Sequence, residues 1–298
     1  MYSYKCPFPY LLVLDFETTS DGKTHDYPTE VIQFSIVPFD VRAKTILVER
    51  AFNEYVHPTI NPILTKHCAD FTGIQQLTLN AADTFPIVFQ KFLGWLQNNG
   101  FEEENCAIVC DSRQDMWRIA QYQFRLINQP LPSLFRQWVN IKKIFDTGLE
   151  PCEKRELIGK TNIEKMVKYL EIEQIGIAHD ALSDCLTLAN ITHRILEWGC
   201  PVTVNEMVYC SPLWRKHPID MSLYTDWRTN FMSANRIFER VLPLAVRSVS
   251  NYDKTMFGIC SYCKKGNTVC GVSHTQPPVD LYNNLPEPCV FAKCARYY

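Results

Sequence analysis

Apolar positions along the chain gather in short runs separated by turn residues. Tyr10–Leu14 is an unbroken apolar run that ends at Asp15, and it predicts a buried strand. Val31–Val41 predicts a second strand and Ile46–Pro58 a third. The Ser20-Asp21-Gly22-Lys23 turn, with His25-Asp26-Tyr27-Pro28 beyond it, separates the first two, so the start reads as an antiparallel meander. Ala81–Asn99 has helical spacing, with Asp83 as its candidate cap. Cys106–Cys110 is a short apolar strand, followed by a helix over 112–127 that Asp111 can cap. Ile163–Ile172 and Ala181–Gly199 are further amphipathic helices; Asp180 suits the N-cap of the second, and Gly199 with Pro201 suits its end. Strands first, then strands alternating with helices, predict an α/β domain with a mixed sheet.

Composition agrees with a sizeable core: 298 residues, 46% hydrophobic and 12% aromatic. No apolar run approaches the length that spans a bilayer, and the N-terminal patch lacks the form of a secretory signal. The expectation is a cytoplasmic or nuclear protein with no membrane partner. Of 13 cysteines, eight are scattered through the first 210 residues and five fall between Cys260 and Cys294. In a reducing compartment the scattered eight read as free thiols, and the cluster reads as metal-binding. Charge divides in the same place: residues 1–210 carry 19 Lys and Arg against 26 Asp and Glu, residues 211–298 carry 11 against 6. An acidic body with a basic tail points to a polyanionic partner, although a merely solubilising distribution gives the same numbers. The expected division is 1–207 and 208–298.

Side chains at i and i+2 of a strand share a face, so Asp15 and Glu17 point the same way at a strand end. Two like charges so close raise one pKa or require a cation, and hard divalent ions favour carboxylate oxygens. Alone, the pair could equally be two surface acids. Asp115 after the Cys106–Cys110 strand, and Asp184 within the Ala181–Gly199 helix, add acids at other element ends, with His179 five positions before Asp184.

The stretches LDFETT (14–19), DSRQDM (111–116) and HDALSD (179–184) resemble the three motifs of the DEDD 3′–5′ exonucleases of the histidine subtype. PTEVIQFSIV, NPILTKHCADFTGI and LEWGCPVTVNE resemble the flanking segments of the subgroup that trims histone messenger RNA and small interfering RNA, and the resemblance runs over residues 8–206. It implies an RNase H-like sheet flanked by helices. It implies catalytic Asp15, Glu17, Asp115, His179 and Asp184. The four acids would hold two Mg²⁺ or Mn²⁺, with Asp15 bridging, Glu17 and Asp184 completing one position and Asp115 holding the other. Many relatives carry His or Asn where this chain has Asp111; the Asp115-Met116 pair matches the family's ending and leaves Asp111 as a cap. Phe16, Thr18 and Met116 match positions that hold the terminal nucleotide.

Two divalent ions roughly 4 Å apart can activate water and stabilise both oxygens of a phosphodiester displacement. His179 would be the general base, because an imidazole titrates near neutrality. In the tail, Cys260-x₂-Cys263 and Cys289-x₄-Cys294 have the spacing of a structural Zn²⁺ site, with Cys270 and His274 as alternative ligands. Lys264 and Lys265 beside the first pair would grip nucleic acid; docking to other nucleases is the competing role for this module. The expected function is metal-dependent 3′–5′ exonuclease action on DNA and RNA with a free 3′ end, releasing nucleoside monophosphates, with apoptotic DNA degradation implied by the resemblance. The alternatives are an RNA-trimming exonuclease and a catalytically inactive nucleic-acid-binding adaptor.

Overall fold

The computed structural model describes residues 5–23, 27–127, 129, 131–148, 161–210 and 244–248. Among the described residues eight strands form one mixed sheet: β1 (Tyr10–Thr18), β2 (Val31–Asp40), β3 (Thr45–Ile46), β4 (Phe52–Tyr55), β5 (Cys106–Cys110), β6 (Gln137–Asn140), β7 (Glu206–Cys210) and β8 (Leu244–Ser248). The order is β3-β2-β1-β5-β6-β7-β8, with β4 also on β2. β1 is antiparallel to β2 but parallel to β5, and β5 is parallel to β6. The expected α/β class with a mixed sheet is therefore present.

The interior strands bury both faces, which is why Leu11–Leu14 is apolar without alternation. The alternation is still decisive for direction. Leu12, Leu14 and Phe16 pack on one side with α3 (Phe85–Asn99); Leu11 and Val13 pack on the other with α7 (Ala181–Glu197). On the first side an aromatic core gathers around Phe34, whose ring centroid lies 4.9 Å from Phe16, 5.1 Å from Phe52 and 5.1 Å from Phe92. By parity, Asp15 and Glu17 continue the odd-numbered face, toward α7.

Three local expectations need correction. The run Ile46–Pro58 is two strands, not one: Val48–Arg50 forms a 3₁₀ turn between β3 and β4, and the chain re-pairs with β2 from Phe52. The helix expected over 81–99 begins at Phe85, behind Thr84 rather than Asp83. The Asp83 carboxylate pairs with Lys91 at 3.1 Å and its carbonyl accepts the His57 N–H, so it is engaged elsewhere. Ala81 belongs instead to α2 (Gln76–Ala81), which follows α1 (Lys66–Thr72). Third, Asp111 does not cap. The helix after β5 starts at Gln114, with Arg113 at the cap position, and Gln114–Ala120 is wound as a wide π-type turn before it continues as α4 (Gln121–Leu126).

Other expectations hold. α7 is capped by Asp180, whose carboxylate accepts from the Ser183 N–H at 3.0 Å and hydroxyl at 2.6 Å. Gln33, buried in β2, ties that cap to the sheet: its amide donates to Asp180 at 2.9 Å and its carbonyl oxygen accepts the Ala181 N–H at 3.1 Å. α5 (Ile141–Gly148) and α6 (Ile163–Tyr169) complete this face. β7 and β8 carry the sheet past residue 207; the Cys260–Cys294 cluster, with His274, Lys264 and Lys265, lies outside the described residues. Among the described residues no helix is long and apolar enough to cross a membrane.

Candidate active site

β1 outruns β5. Their last pairing is Val13 with Val109, while β1 continues to Thr18 along β2. A cleft of about 720 Å³ opens over that overhang. Asp15 and Glu17 enter it from β1, Asp111 and Asp115 from the turn after β5, His179 and Asp184 from the start of α7. Three segments distant in sequence thus converge on one space, as the carboxyl ends of parallel strands do in open α/β sheets.

Local structure fixes each side chain. The widened turn buries Asp115, 5% exposed, and its carboxylate accepts the Phe16 backbone N–H beyond the end of β5. Such wide turns recur at functional sites because they redirect a side chain without ending the helix. Asp184 lies one turn after the Asp180 cap and faces the sheet. Its carboxylate accepts the His179 backbone N–H at 2.9 Å. His179 has φ of 65°, a left-handed conformation that costs a non-glycine residue free energy. The loop before it is held close by Gly176, also left-handed; a Cβ there would stand 2.2 Å from the Ser183 hydroxyl. One ligand atom each from Glu17, His179 and Asp184 lies within 4.8 Å of the others.

The electrostatics are those of stranded anions. Burial, then the charges of Asp115, Glu17 and Asp184, hold the Asp15 carboxyl well above the usual range. Glu17 is pushed up to about 9, by burial first and then by Asp184 and Asp115. Burial, with Asp111 next, also raises Asp115 well above the ordinary value. Asp184 is raised by burial despite the His179 N–H. Burial raises Asp111 as well, against the pull of Ser112 and Lys142. Carboxylates so arranged fit hard divalent cations: oxygen donors only, mutually repelling, and short of hydrogen-bond donors. Asp15, Glu17, Asp115 and Asp184 would hold the cations, with Asp111 at their margin.

Not every residue expected at the site faces it. Phe16 lines the cleft although its ring is buried against Phe34. Met116 is fully buried in the aromatic core, because the wide turn that aims Asp115 into the cleft aims its neighbour away from it. Thr18 is outside the lining residues; the register slips between Glu17 and Thr18, at the end of β1. Conversely, Phe71, Asn162, Ile163, Glu164 and Gln174 line the cleft without being part of any of the three motifs. Phe71 directly precedes the Thr72-Gly73-Ile74 stretch, so a signal lay one residue away; Asn162 and Gln174 carry no local signal.

The profile of the exonuclease family, RNase T type, matches residues 12–192. This chain belongs to the exonuclease family. The family's 3′–5′ exonuclease crn-4 of Caenorhabditis elegans is 50% identical over 295 residues, 98% of each chain. The crystal structure of cell-death related nuclease 4 (CRN-4) superposes with a TM-score of 0.75 at 49% identity, over 98% of this chain and 99% of that one. The nuclease domain of 3′hExo, a DEDDh exonuclease solved bound to rAMP, aligns with a TM-score of 0.61 at 28% identity, over 67% and 98%. The chain is a 3′–5′ exonuclease with the RNase H-like fold of that family, and the reading as an inactive adaptor is set aside.

Proposed function

We propose that the cleft hydrolyses the terminal phosphodiester bond at a free 3′ end of DNA or RNA and releases nucleoside monophosphates. The observation that carries this reading is the convergence of Asp15, Glu17, Asp115 and Asp184 on one cleft, all raised by burial and by the charges of neighbouring acids. Two Mg²⁺ or Mn²⁺ bound there would supply an activated water and neutralise the charge that develops on the phosphate. The chain's residues do the rest. The four carboxylates would hold those cations at the scissile group. The His179 imidazole, within 4.8 Å of Glu17 and Asp184 oxygens, takes a proton from the attacking water at a ring nitrogen. Water adds to phosphorus, the bond from phosphorus to the 3′-oxygen of the next nucleotide breaks, and that oxygen takes a proton from solvent.

Substrate choice is supported from two sides. The C. elegans relative is described as a cell-death related nuclease, which favours DNA degradation in dying cells. 3′hExo binds rAMP, which favours acceptance of a ribose and gives the RNA-trimming reading its support. The two differ only in how the pocket treats the 2′-hydroxyl. Strands labelled at the 5′ end, as RNA, as single-stranded DNA and as nicked duplex, with free and blocked 3′ ends, decide the matter. Stepwise shortening of free 3′ ends in Mg²⁺ or Mn²⁺ is expected. Cutting of blocked ends, or undiminished cutting in a chelator, would overturn the reading.

A structural Zn²⁺ on Cys260, Cys263, Cys289 and Cys294, with Lys264 and Lys265 gripping the substrate, belongs to the same proposal and rests on the spacing of those residues. Mass spectrometry of the native protein should find one Zn²⁺ per chain. Lys264→Ala with Lys265→Ala should weaken DNA binding and flatten its salt dependence; unchanged binding would assign the tail to docking. Residence in cytoplasm or nucleus is also proposed, supported by free Cys68, Cys106, Cys110 and Cys185 in the interior.

A further inference from the structure

His179 is exposed, on an exposed loop, and yet has to keep its ring beside Glu17 and Asp184. The backbone hydrogen bond to Asp184 fixes its main chain but leaves its side-chain torsions free. Among the described residues the ring stacks on Phe71, with centroids 3.8 Å apart and planes 27° apart. Phe71 is itself 48% exposed and lines the cleft, so its ring is not there to fill the core.

What stands behind Phe71 is ordered. It lies on α1, one turn after His67, and those rings stack at 5.6 Å and 19°. His67 fits over Gly22, where a Cβ would fall 2.6 Å from the imidazole. The Thr65 hydroxyl caps α1 by accepting the Cys68 N–H, and donates to the Ser20 carbonyl, so the helix is pinned to the turn that follows β1. Below Phe71, Cys68 and Ile74 are buried, and Gly73 closes the helix in the left-handed conformation. A row of Gly22, His67, Phe71 and His179 thus runs from the end of the strand that carries Asp15 and Glu17 to the imidazole.

We infer that Phe71 is a positioning residue: its ring is the wall that holds the His179 imidazole in line with the carboxylate cluster. The inference rests on the general-base role given to His179 above. Phe71 touches neither reacting atom in this scheme; it restricts the ring that does. A proton acceptor displaced by about 1 Å can lose roughly a hundredfold in rate, so a flat, rigid neighbour is worth more here than an aliphatic one of similar volume.

The experiment compares Phe71→Leu, Phe71→Tyr and Phe71→Trp in the full chain with Mn²⁺. Phe71→Leu should lower kcat roughly 10- to 100-fold with KM little changed, and Tyr or Trp should restore most of it. In the free protein, an upfield-shifted His179 Cε1 proton, assigned by its loss in His179→Ala, should return toward its ordinary position in Phe71→Leu. A raised KM at full kcat would make Phe71 a base-stacking contact instead and overturn the inference. So would equal loss in the Leu, Tyr and Trp variants, or a proton shift that Phe71→Leu leaves in place. A wild-type protein without exonuclease activity would remove the proposed function and this role together. An active wild type whose Phe71→Leu variant keeps its kcat would remove the positioning role alone.

Discussion

Glu30 and Glu17 are both buried acids near the same end of β1 and β2, 1% and 8% exposed, and their surroundings are opposite. The Glu30 carboxylate accepts four hydrogen bonds, from the Thr59 N–H at 2.7 Å, the Thr59 hydroxyl at 2.9 Å, the Ile60 N–H at 2.8 Å and the Asn61 N–H at 3.0 Å. It fixes the loop that leads toward α1. Glu17 faces Asp184, Asp115 and Asp180, and its proton is held up to about pH 9. The contrast repeats on a single helix. Burial alone would raise Asp180, but Ser183 and Gln33 donate to it and bring its pKa below the usual value; Asp184, one turn on, stays raised. Burial of an acid therefore says little by itself. An acid with donors is a strut, and a group of acids without enough donors is a binding site for something cationic.

This division is broken most directly by removing an acid from each kind. Asp15→Asn should cost roughly 10³-fold or more in divalent-dependent nucleotide release, since it removes a carboxylate that would hold the cations stabilising the reacting phosphate. His179→Ala should cost about 10²- to 10⁴-fold, the usual share of a general base. Steady-state assays on a 3′-ended oligonucleotide check both. Neither change should lower the melting temperature of the metal-free protein, and Asp15→Asn should raise it by relieving repulsion. Glu30→Ala should do the reverse. It leaves several donors buried without a partner and should cost about 3–5 kcal/mol in urea unfolding, with kcat per folded molecule largely kept.

The pH dependence of stability sharpens the same comparison. In the cage acids the folded state holds protons that the unfolded chain would release, so the stability of the metal-free protein should fall as pH rises from about 4.5, the ordinary glutamate value, to about 9, the folded value for Glu17. Saturating Mn²⁺ should remove that decline, because cation binding favours the ionised form. Thermal melts at several pH values, with and without metal, measure it. The smallest effect belongs to the cap: Asp180→Ala should cost about 1 kcal/mol, through loss of the bonds to Ser183.

Strand parity and cap chemistry made much of this legible from residues alone. Period-two alternation places Asp15 and Glu17 on one face, and the Asp180 cap places Asp184 one turn into a helix. What was hidden depended on contacts between distant segments. Asp111 read as a cap because the helix was expected to start at 112; the wide turn at Gln114–Ala120 leaves it in the cleft instead. Met116 was expected at the substrate because it follows Asp115, yet the same turn sends it into the core. Val48–Arg50 forms a 3₁₀ turn inside an otherwise strand-like run, between two stretches that both pair with β2. Phe71 could be placed against His179 only by a fold that brings α1 to the start of α7.

The central claim is that the cleft acids, held above their ordinary range by burial and by the charges of neighbouring acids, form a binding site for divalent cations. Calorimetric titration of Mn²⁺ into the metal-free protein near neutral pH, repeated in buffers of different ionisation enthalpy, counts the protons that binding displaces. The account predicts net proton release on binding, reduced in Glu17→Gln and in Asp15→Asn. Mn²⁺ binding with no proton release, or release unchanged in both variants, would contradict it.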